Sequence, residues 1–331
     1  MEVLSKKARF LNAFEIYGIL AVIVVICLIS AYLQPDAFPS WRNITNIFKQ
    51  IAPNAMLAIG MFLVILTAGI DLSVGSVLAL SMMSLAVTAV AGVFWPISIF
   101  LALAVGLTCG VFNGIGIVKF KMPHPFIMTL GTLFIARGLA NLISGGIPHS
   151  GLPYPIRFIG IEKIDLTFIF GERVFLPVLV ILILLVYGLF WFVLEKTVFG
   201  RRIYAIGGNP NAARVSGVNT DQILVYVYAI CGLMAAIAAI IMAGRTNSGF
   251  PNAGDGMELE AIAAVIIGGA SFFGGRGHVF GVFGGVIIMG LIRNMLNLNN
   301  VSAFWQQCFI GAIIIAAVLI DVLRREVSHR N

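Results

Sequence analysis

Ten apolar stretches dominate this sequence and decide the solvent in which it folds. A helix rises 1.5 Å per residue, so about 20 apolar residues cross the roughly 30 Å of hydrocarbon in a bilayer. We predict spans near 15–34, 51–68, 72–92, 96–118, 124–143, 174–194, 221–243, 258–270, 279–297 and 303–321. The 258–270 stretch is short, which predicts a partial or re-entrant span shielded by protein. The expected fold is an all-α polytopic membrane protein with about ten transmembrane helices, some of them short or broken.

Composition excludes most soluble classes. The chain is 60% hydrophobic and only 11% charged, which leaves too little polar surface to coat a water-soluble globule. A cytosolic enzyme, a disordered scaffold and a secreted disulfide domain are therefore excluded. The four cysteines lie inside apolar runs without pairing or metal-ligand spacing, and we interpret them as small buried hydrophobes: Cys27, Cys109, Cys231 and Cys308.

The 21 basic residues orient the spans. With the N-terminus inside, thirteen fall in inner segments: Lys6, Lys7, Arg9, Lys119, Lys121, Lys196, Arg201, Arg202, Arg214, Arg276, Arg324, Arg325 and Arg330. Seven fall in outer segments, leaving Arg137 within a span: Arg42, Lys49, Arg157, Lys163, Arg173, Arg245 and Arg293. This excess follows the positive-inside rule, so both termini are predicted cytoplasmic. The basic residues are not clustered, and no nucleic-acid partner is expected. The first run lacks a small-residue cleavage motif, so we interpret it as an uncleaved span.

Glycine spacing predicts close contacts between helices. Gly106, Gly110 and Gly114 repeat every four residues, as do Gly277, Gly281 and Gly285. Each set opens one helix face to a neighbouring backbone.

Two polar interruptions break the apolar runs. Thr67–Gly75 puts the Asp71 carboxylate between two spans, which by default indicates a functional residue. A capping role for Asp71 on a helix starting at Leu72 is an equally weighted, compatible alternative. The second interruption, 268–277, is glycine-rich, and the pair hints at an internal duplication. Other intramembrane polar groups form no proton-relay pair; Arg137 is expected to snorkel or to pair with a carboxylate.

The longest inner loop, about 195–220, contains a predicted short helix. Asn209 suits the N-cap, Pro210 the first helical position and Gly217 a left-handed C-terminal position. Such a helix is suited to docking against another protein, or alternatively to lying on anionic lipid headgroups.

Missing motifs limit the mechanism. No Gly-Lys dipeptide occurs, so the chain has no Walker A phosphate loop. No HExxH, nucleophile-elbow or haem-attachment pattern occurs either, and we predict no enzyme activity, cofactor or metal site. Transport by this chain would be passive or ion-coupled, or would use a motor on a separate subunit.

Three motifs together resemble the membrane permease subunit of bacterial monosaccharide ATP-binding-cassette (ABC) importers, the ribose, allose, xylose and galactose group. They are the 69–75 segment, the loop from Gly200 to Gly217, and the glycine stretch from Ala261 to Gly281. They occur in the family's order and spacing over essentially the whole chain, which implies one transmembrane permease domain over 1–331.

The resemblance implies partners in the bacterial inner membrane. A second permease copy, identical or paralogous, would complete the pore. A cytoplasmic ATPase with two fused nucleotide-binding domains would power it, and a periplasmic or lipid-anchored sugar-binding protein would deliver the substrate. The external loop, about 145–173, is expected to contact that binding protein.

The resemblance also implies residue roles. ATPase coupling is expected at Gly200, Arg201, Tyr204, Gly207, Gly208, Asn209 and Arg214. A modestly polar translocation pathway is expected at Asp71, Ser73, Asn113, Phe126 and Thr129. The main alternative is an ion-coupled secondary sugar transporter with Asp71 as the titrating acid; a passive channel and an assembly subunit follow. The specific sugar stays open.

Overall fold

The computed structural model describes residues 2–120, 122, 124–165, 167 and 175–330. These residues form thirteen helices: α1 (Glu2–Leu33), α2 (Trp41–Leu66), α3 (Val74–Val90), α4 (Trp95–Lys119), α5 (Pro125–Ser144), α6 (Tyr154–Ile161), α7 (Val178–Lys196), α8 (Val198–Gly208), α9 (Pro210–Val215), α10 (Thr220–Thr246), α11 (Met257–Ile267), α12 (Val279–Leu298) and α13 (Ala303–Arg330). They also form four short strands: β1 (His149–Ser150), β2 (Lys163–Asp165), β3 (Phe175–Pro177) and β4 (Ser248–Gly249). Lys121, residues 166 and 168–173 of the predicted external loop, and the first residue of the predicted span 174–194 lie outside the described residues.

The helical, polytopic membrane fold predicted from sequence is confirmed. Six helices are long and apolar enough to cross a membrane, namely α2, α4, α5, α7, α10 and α12. Shorter apolar helices cover Tyr17–Leu33, Val74–Val90 and Ala303–Leu319, and α11 has only 11 residues. Each of the ten apolar stretches therefore coincides largely with a helix.

The centre of the bundle is α2. Its most apolar window is 89% buried within this chain, against 22% for α5 and 28% for α7. It contacts α7, α10, α11 and α12, while α3 is also buried along most of its length. The outer faces of α5 and α7 are consequently left for lipid or for another chain.

Both predicted glycine sets bring helices together. A Cβ atom on Gly110 would overlap the Tyr228 carbonyl oxygen, and one on Gly106 would overlap the Gly232 carbonyl oxygen. On α12, a Cβ at Gly281 would overlap the Gly268 carbonyl oxygen. Backbone therefore meets backbone at the α4–α10 and α11–α12 contacts, as the four-residue spacing predicts.

A proline inside α2 is compensated by a cation from α10. Pro53 has no N–H, so it cannot donate to the carbonyl of Lys49 one turn earlier. The Arg245 guanidinium donates to that carbonyl instead, with an Nη1–O distance of 2.6 Å. The helix therefore continues through Pro53 with this carbonyl satisfied.

Two antiparallel strand pairs lie at one end of the bundle, which we call the strand end. Strand β1 pairs with β4, with His149 opposite Gly249, and β2 pairs with β3, with Ile164 opposite Leu176. The chain then turns back into the bundle, because Gly249 lies against Met82 whereas Gly254 lies against Gly75. Seven residues of α3 separate these contacts, which is about 10 Å along the axis. The short stretch predicted at 258–270 forms the 11-residue helix α11, which follows this re-entrant segment.

The α4–α10 contact predicts a difference between two glycines. We expect Gly110→Ala to lower stability by about 1–3 kcal/mol, because the new Cβ overlaps backbone that cannot rotate away. Gly131→Ala is the matched control, since a Cβ there meets nothing within 4 Å. Thermal unfolding of both purified variants in detergent measures the effect. Equal unfolding temperatures for the two variants would contradict the backbone contact.

Candidate functional site

The first interruption lies between α2 and α3. The Asp71 carboxylate is 1% exposed, and its Oδ1 accepts hydrogen bonds from the Ser73 backbone N–H at 2.9 Å and from the Ser73 hydroxyl at 2.6 Å. The predicted cap on a helix starting at Leu72 is wrong in its position. Helix α3 begins at Val74, and Ser73 occupies its N-cap without a side-chain capping bond. Asp71 therefore closes the turn that precedes the helix.

Asp71 belongs to a buried polar network that joins three helices. The Asn113 amide of α4 donates to the Ser73 hydroxyl at 2.9 Å and to the Asp71 Oδ2 at 3.4 Å. The Thr132 hydroxyl of α5 donates to the Asn113 side-chain Oδ1 at 2.5 Å. Thr129, one turn before Thr132, accepts from the Leu72 N–H at 3.3 Å.

The structure brings together four of the five predicted pathway residues. Asp71, Ser73, Asn113 and Thr129 share this network, whereas the Phe126 side chain is 44% exposed on the chain's outer surface. Sequence reasoning missed Thr132. Its helical spacing from Thr129 was a usable signal, because residues three apart lie on one face of a helix.

Hydrogen bonds, and no cation, surround the Asp71 carboxylate. In the part of the chain that the structure describes, no Lys, Arg or His forms an ion pair with it. A buried carboxylate is tolerable only when donors replace its water, and here Ser73 and Asn113 supply them. Among the described residues, no group of three or more His, Cys, Asp or Glu could hold a metal ion.

The second interruption, between α11 and α12, lies against the first. The Gly275 N–H donates to the carbonyl of Leu66 at the end of α2, at 2.9 Å. The Asp321 carboxylate of α13 accepts from the Phe272 N–H at 3.0 Å and from the Ser271 hydroxyl at 3.3 Å. Sequence reasoning found both interruptions but could not show that they touch, because about 200 residues separate them.

The short helix predicted in the longest inner loop is confirmed as α9. The Asn209 Oδ1 accepts from the backbone N–H groups of Asn211 and Ala212 at 3.1 and 3.0 Å. Pro210 is its first residue, and Gly217 has a φ of +82°. A second helix, α8, precedes it and was not predicted. We call the bundle end that carries α8 and α9 the helix end.

Helix α8 contacts both interruptions. The Tyr204 hydroxyl donates to the Gly277 carbonyl at 2.9 Å, and Gly207 fits against the Leu66 carbonyl and Gly275 with no room for a Cβ. Burial and then the charge of Glu195 raise the pKa of Tyr204 well above its ordinary value of 10, so this hydroxyl stays protonated and remains a donor. A movement of α8 would therefore displace residues of both interruptions.

The seven predicted coupling residues divide into two groups. Gly200, Tyr204 and Gly207 face the bundle, since a Cβ on Gly200 would overlap the backbone of Leu194. The other four are exposed: Arg201, Gly208, Asn209 and Arg214. Arg214 also donates to Asp221 and Thr220, which fixes α9 to the start of α10.

Arg137 has a role that sequence reasoning missed. It forms no ion pair among the described residues. Its Nη1 donates to the carbonyls of Pro251 and Ala253 at 2.7 and 2.8 Å. The arginine thereby holds the re-entrant segment that leads to α11.

Comparison with known proteins agrees with this architecture. Residues 43–318 match the family described as branched-chain amino acid transport system / permease component. A ribose import permease protein of Bacillus subtilis (strain 168) is 42% identical over 96% of this chain and 93% of the relative. A D-allose transport system permease protein of Escherichia coli (strain K12) is 38% identical over 96% and 95%. A xylose transport system permease protein of the same strain is 34% identical over 93% and 91%.

No solved structure gives a significant match. The family match covers most of the chain, and the relatives cover nearly all of it. The chain therefore belongs to the family of transport-system permease components, which are multi-pass membrane transport subunits and not enzymes.

Proposed function

We propose that this chain is the translocation subunit of an ABC importer for a monosaccharide, ribose or a related pentose or hexose. The observation that carries the proposal is the α8–α9 surface, which is exposed on one side and contacts both interrupted segments on the other. The sugar names of the relatives support the substrate class. No phosphate loop occurs in the sequence, so the motor is a separate ATPase.

The proposed topology has ten spans in one domain over 1–331, in the bacterial inner membrane. Both termini and the helix end face the cytoplasm, while the strand end faces outward. The exposed Arg201 and Arg202 on α8 support this orientation. The external segment 145–173 and the β1–β4 pair then face the sugar-binding protein.

The proposed assembly contains two permease copies and a cytoplasmic ATPase with two fused nucleotide-binding domains. The ATPase docks on the exposed residues of α8 and α9. ATP binding moves α8, and Tyr204 and Gly207 pass this movement to the two interruptions. The helices then rock between inward-open and outward-open states.

The Asp71 network supplies a polar stretch to the sugar path. Asp71, Ser73 and Asn113 satisfy one another in this state, and the Thr129 hydroxyl accepts from the Leu72 backbone N–H beside them. A shift of the first interruption would free their oxygens and amide groups for sugar hydroxyls. Phe126 lies outside this stretch, on the chain's outer surface. The binding protein supplies most of the specificity.

An ion-coupled sugar transporter is the second candidate, and the buried Asp71 is the observation that favours it. This candidate requires uptake that follows an ion gradient without an ATPase. Uptake in vesicles with and without ATP separates the two.

The docking surface predicts an effect at Val215, whose side chain is 91% exposed. We expect Val215→Asp to weaken ATPase association at least tenfold, about 1.4 kcal/mol, because a carboxylate would lose its water in the interface. Ile164→Asp is the control, since Ile164 is 40% exposed in β2 at the opposite end. Co-purification of the ATPase with each variant in nanodiscs, without the sugar-binding protein, measures both. Equal ATPase association of the two variants would contradict a contact between α9 and the ATPase.

A Tyr204 variant tests the transmission of movement to the interruptions separately from the docking of the ATPase. Tyr204→Phe removes only the hydroxyl that bonds Gly277, so we expect unchanged ATPase association and at least threefold less sugar transported per ATP hydrolysed. Paired uptake and hydrolysis assays give this ratio. An unchanged ratio with normal ATPase association would show that this hydrogen bond does not couple ATP hydrolysis to sugar transport.

The Asp71 network predicts rescue by exchange. Asp71→Asn turns an NH2 group toward the Asn113 NH2, and we expect a loss of about 1–3 kcal/mol together with reduced uptake. Asn113→Asp alone sets two carboxylates face to face. The double variant restores one donor and one acceptor, so its unfolding temperature should exceed that of either single variant. A double variant less stable than both would contradict the pairing.

A further inference from the structure

Helix α10 borders the first interruption through two side chains that the Asp71 network described above does not include. Tyr228 and Cys231 are both 1% exposed and, being three residues apart, share one face of the helix. The Tyr228 hydroxyl packs against the Gly69 backbone, since a Cβ on Gly69 would lie 2.6 Å from its Oη. The Cys231 thiol lies beside the Asp71 carboxylate. This face of α10 therefore touches the segment whose movement the proposed function requires.

The Tyr228 hydroxyl is a buried donor without an acceptor. Among the described residues its Oη has no partner with hydrogen-bond geometry, and it exposes less than 1 Å², so no water fits against it. Buried tyrosine hydroxyls usually find a partner. Tyr187 and Tyr204 of the same bundle follow this rule, because they donate to the carbonyls of Ala55 and Gly277 at 3.0 and 2.9 Å. Tyr228 departs from it in this state.

The surroundings of Tyr228 leave it little freedom to find a partner by itself. A Cβ on Gly110 of α4 would overlap the Tyr228 carbonyl oxygen, so the tight α4–α10 contact fixes its backbone, and close packing restricts rotation of its side chain. The Ile70 backbone N–H lies near the hydroxyl oxygen, but a donor cannot accept the hydroxyl proton. An acceptor therefore reaches this hydroxyl when the first interruption itself moves.

Asp71 is the acceptor that such a movement would supply. Its charge already acts on the Tyr228 hydroxyl, so the two groups are close. The Asp71 Oδ1 accepts two bonds from Ser73, whereas Oδ2 accepts one long bond of 3.4 Å from the Asn113 amide. In the proposed cycle, a shift of the first interruption draws these donors away, and a buried carboxylate without donors is very costly. An unused donor beside it would take their place.

We propose that Tyr228 is a positioning residue for transport, whose hydroxyl donates to the Asp71 carboxylate in the shifted state of the first interruption. The inference rests on the proposed function and deepens it by naming the contact that stabilises the second state. The hydroxyl is unpaired in the present state and paired in the shifted one. The same group therefore disfavours the first state and favours the second.

The first test is the stability of the permease alone, and it compares two tyrosines. Tyr228→Phe removes an unpaired hydroxyl, so we expect its unfolding temperature in detergent to rise. Tyr187→Phe is the matched control, because it removes a hydroxyl that bonds the Ala55 carbonyl, and its unfolding temperature should fall. A lowered unfolding temperature for Tyr228→Phe would show that the hydroxyl is already bonded in this state and would overturn the proposal.

The second test uses the full complex with its ATPase and sugar-binding protein in nanodiscs. Infrared difference spectra after the release of caged ATP report changes at carboxylates, and D-ribose, D-allose and D-xylose uptake is measured in parallel. We expect the wild type to show a shift of a carboxylate band that Asp71→Asn lacks, which assigns the band to Asp71. Tyr228→Phe should lose this shift and import sugar at least threefold more slowly, with unchanged ATPase association. Tyr187→Phe should keep both the shift and the import rate.

Three results would overturn the role of Tyr228: a wild-type complex that imports sugar without a shift of the Asp71 band, a shift that persists in Tyr228→Phe, or unchanged import by that variant. Absence of ATP-driven import by the wild-type complex would instead refute the proposed function. The two failures are therefore distinguishable, and the unfolding temperatures of the permease alone test the unpaired hydroxyl in either case.

Discussion

Backbone polar groups inside a bilayer have no water to bond, and this constraint shapes the helix interruptions, the re-entrant segment and the proline-containing helix α2. Where a helix stops or contains proline, another part of the chain supplies the missing partner. Arg245 donates to the Lys49 carbonyl, Gly275 donates to the Leu66 carbonyl, and Asp71 accepts from the Ser73 N–H. Arg137 donates to two carbonyls of the re-entrant segment. The interruptions are therefore places where distant elements must meet.

The same constraint gives the interruptions a mechanical role. A helix that merely crosses the membrane can slide against its neighbours, but a broken segment is fixed by specific bonds. Helix α8 contacts both broken segments through Tyr204 and Gly207, and α13 holds the second one through Asp321. A force applied at the exposed side of α8 and α9 thus reaches the buried centre through few contacts. In the function that we propose, a separate ATPase would act through these contacts.

Two groups of polar side chains within the bundle differ in how completely their atoms are paired. Around Asp71, the donors and acceptors satisfy one another in this state, so the group is suited to stabilise a closed segment. Around Asn54, one buried side-chain oxygen has no hydrogen-bond partner among the described residues.

The sequence by itself determined the membrane environment, the approximate positions of ten apolar helices, the glycine faces and the Asn209 cap. These are local properties, set by hydropathy, by helical period and by the capping chemistry of single residues. Tertiary structure alone decided that Asp71 closes the turn before α3, that Arg137 bonds carbonyls instead of a carboxylate, and that the two interruptions meet beneath α8. Those outcomes depend on which distant groups the fold brings within hydrogen-bonding distance of an unpaired polar atom. The spacing of residues along the chain does not give these distances.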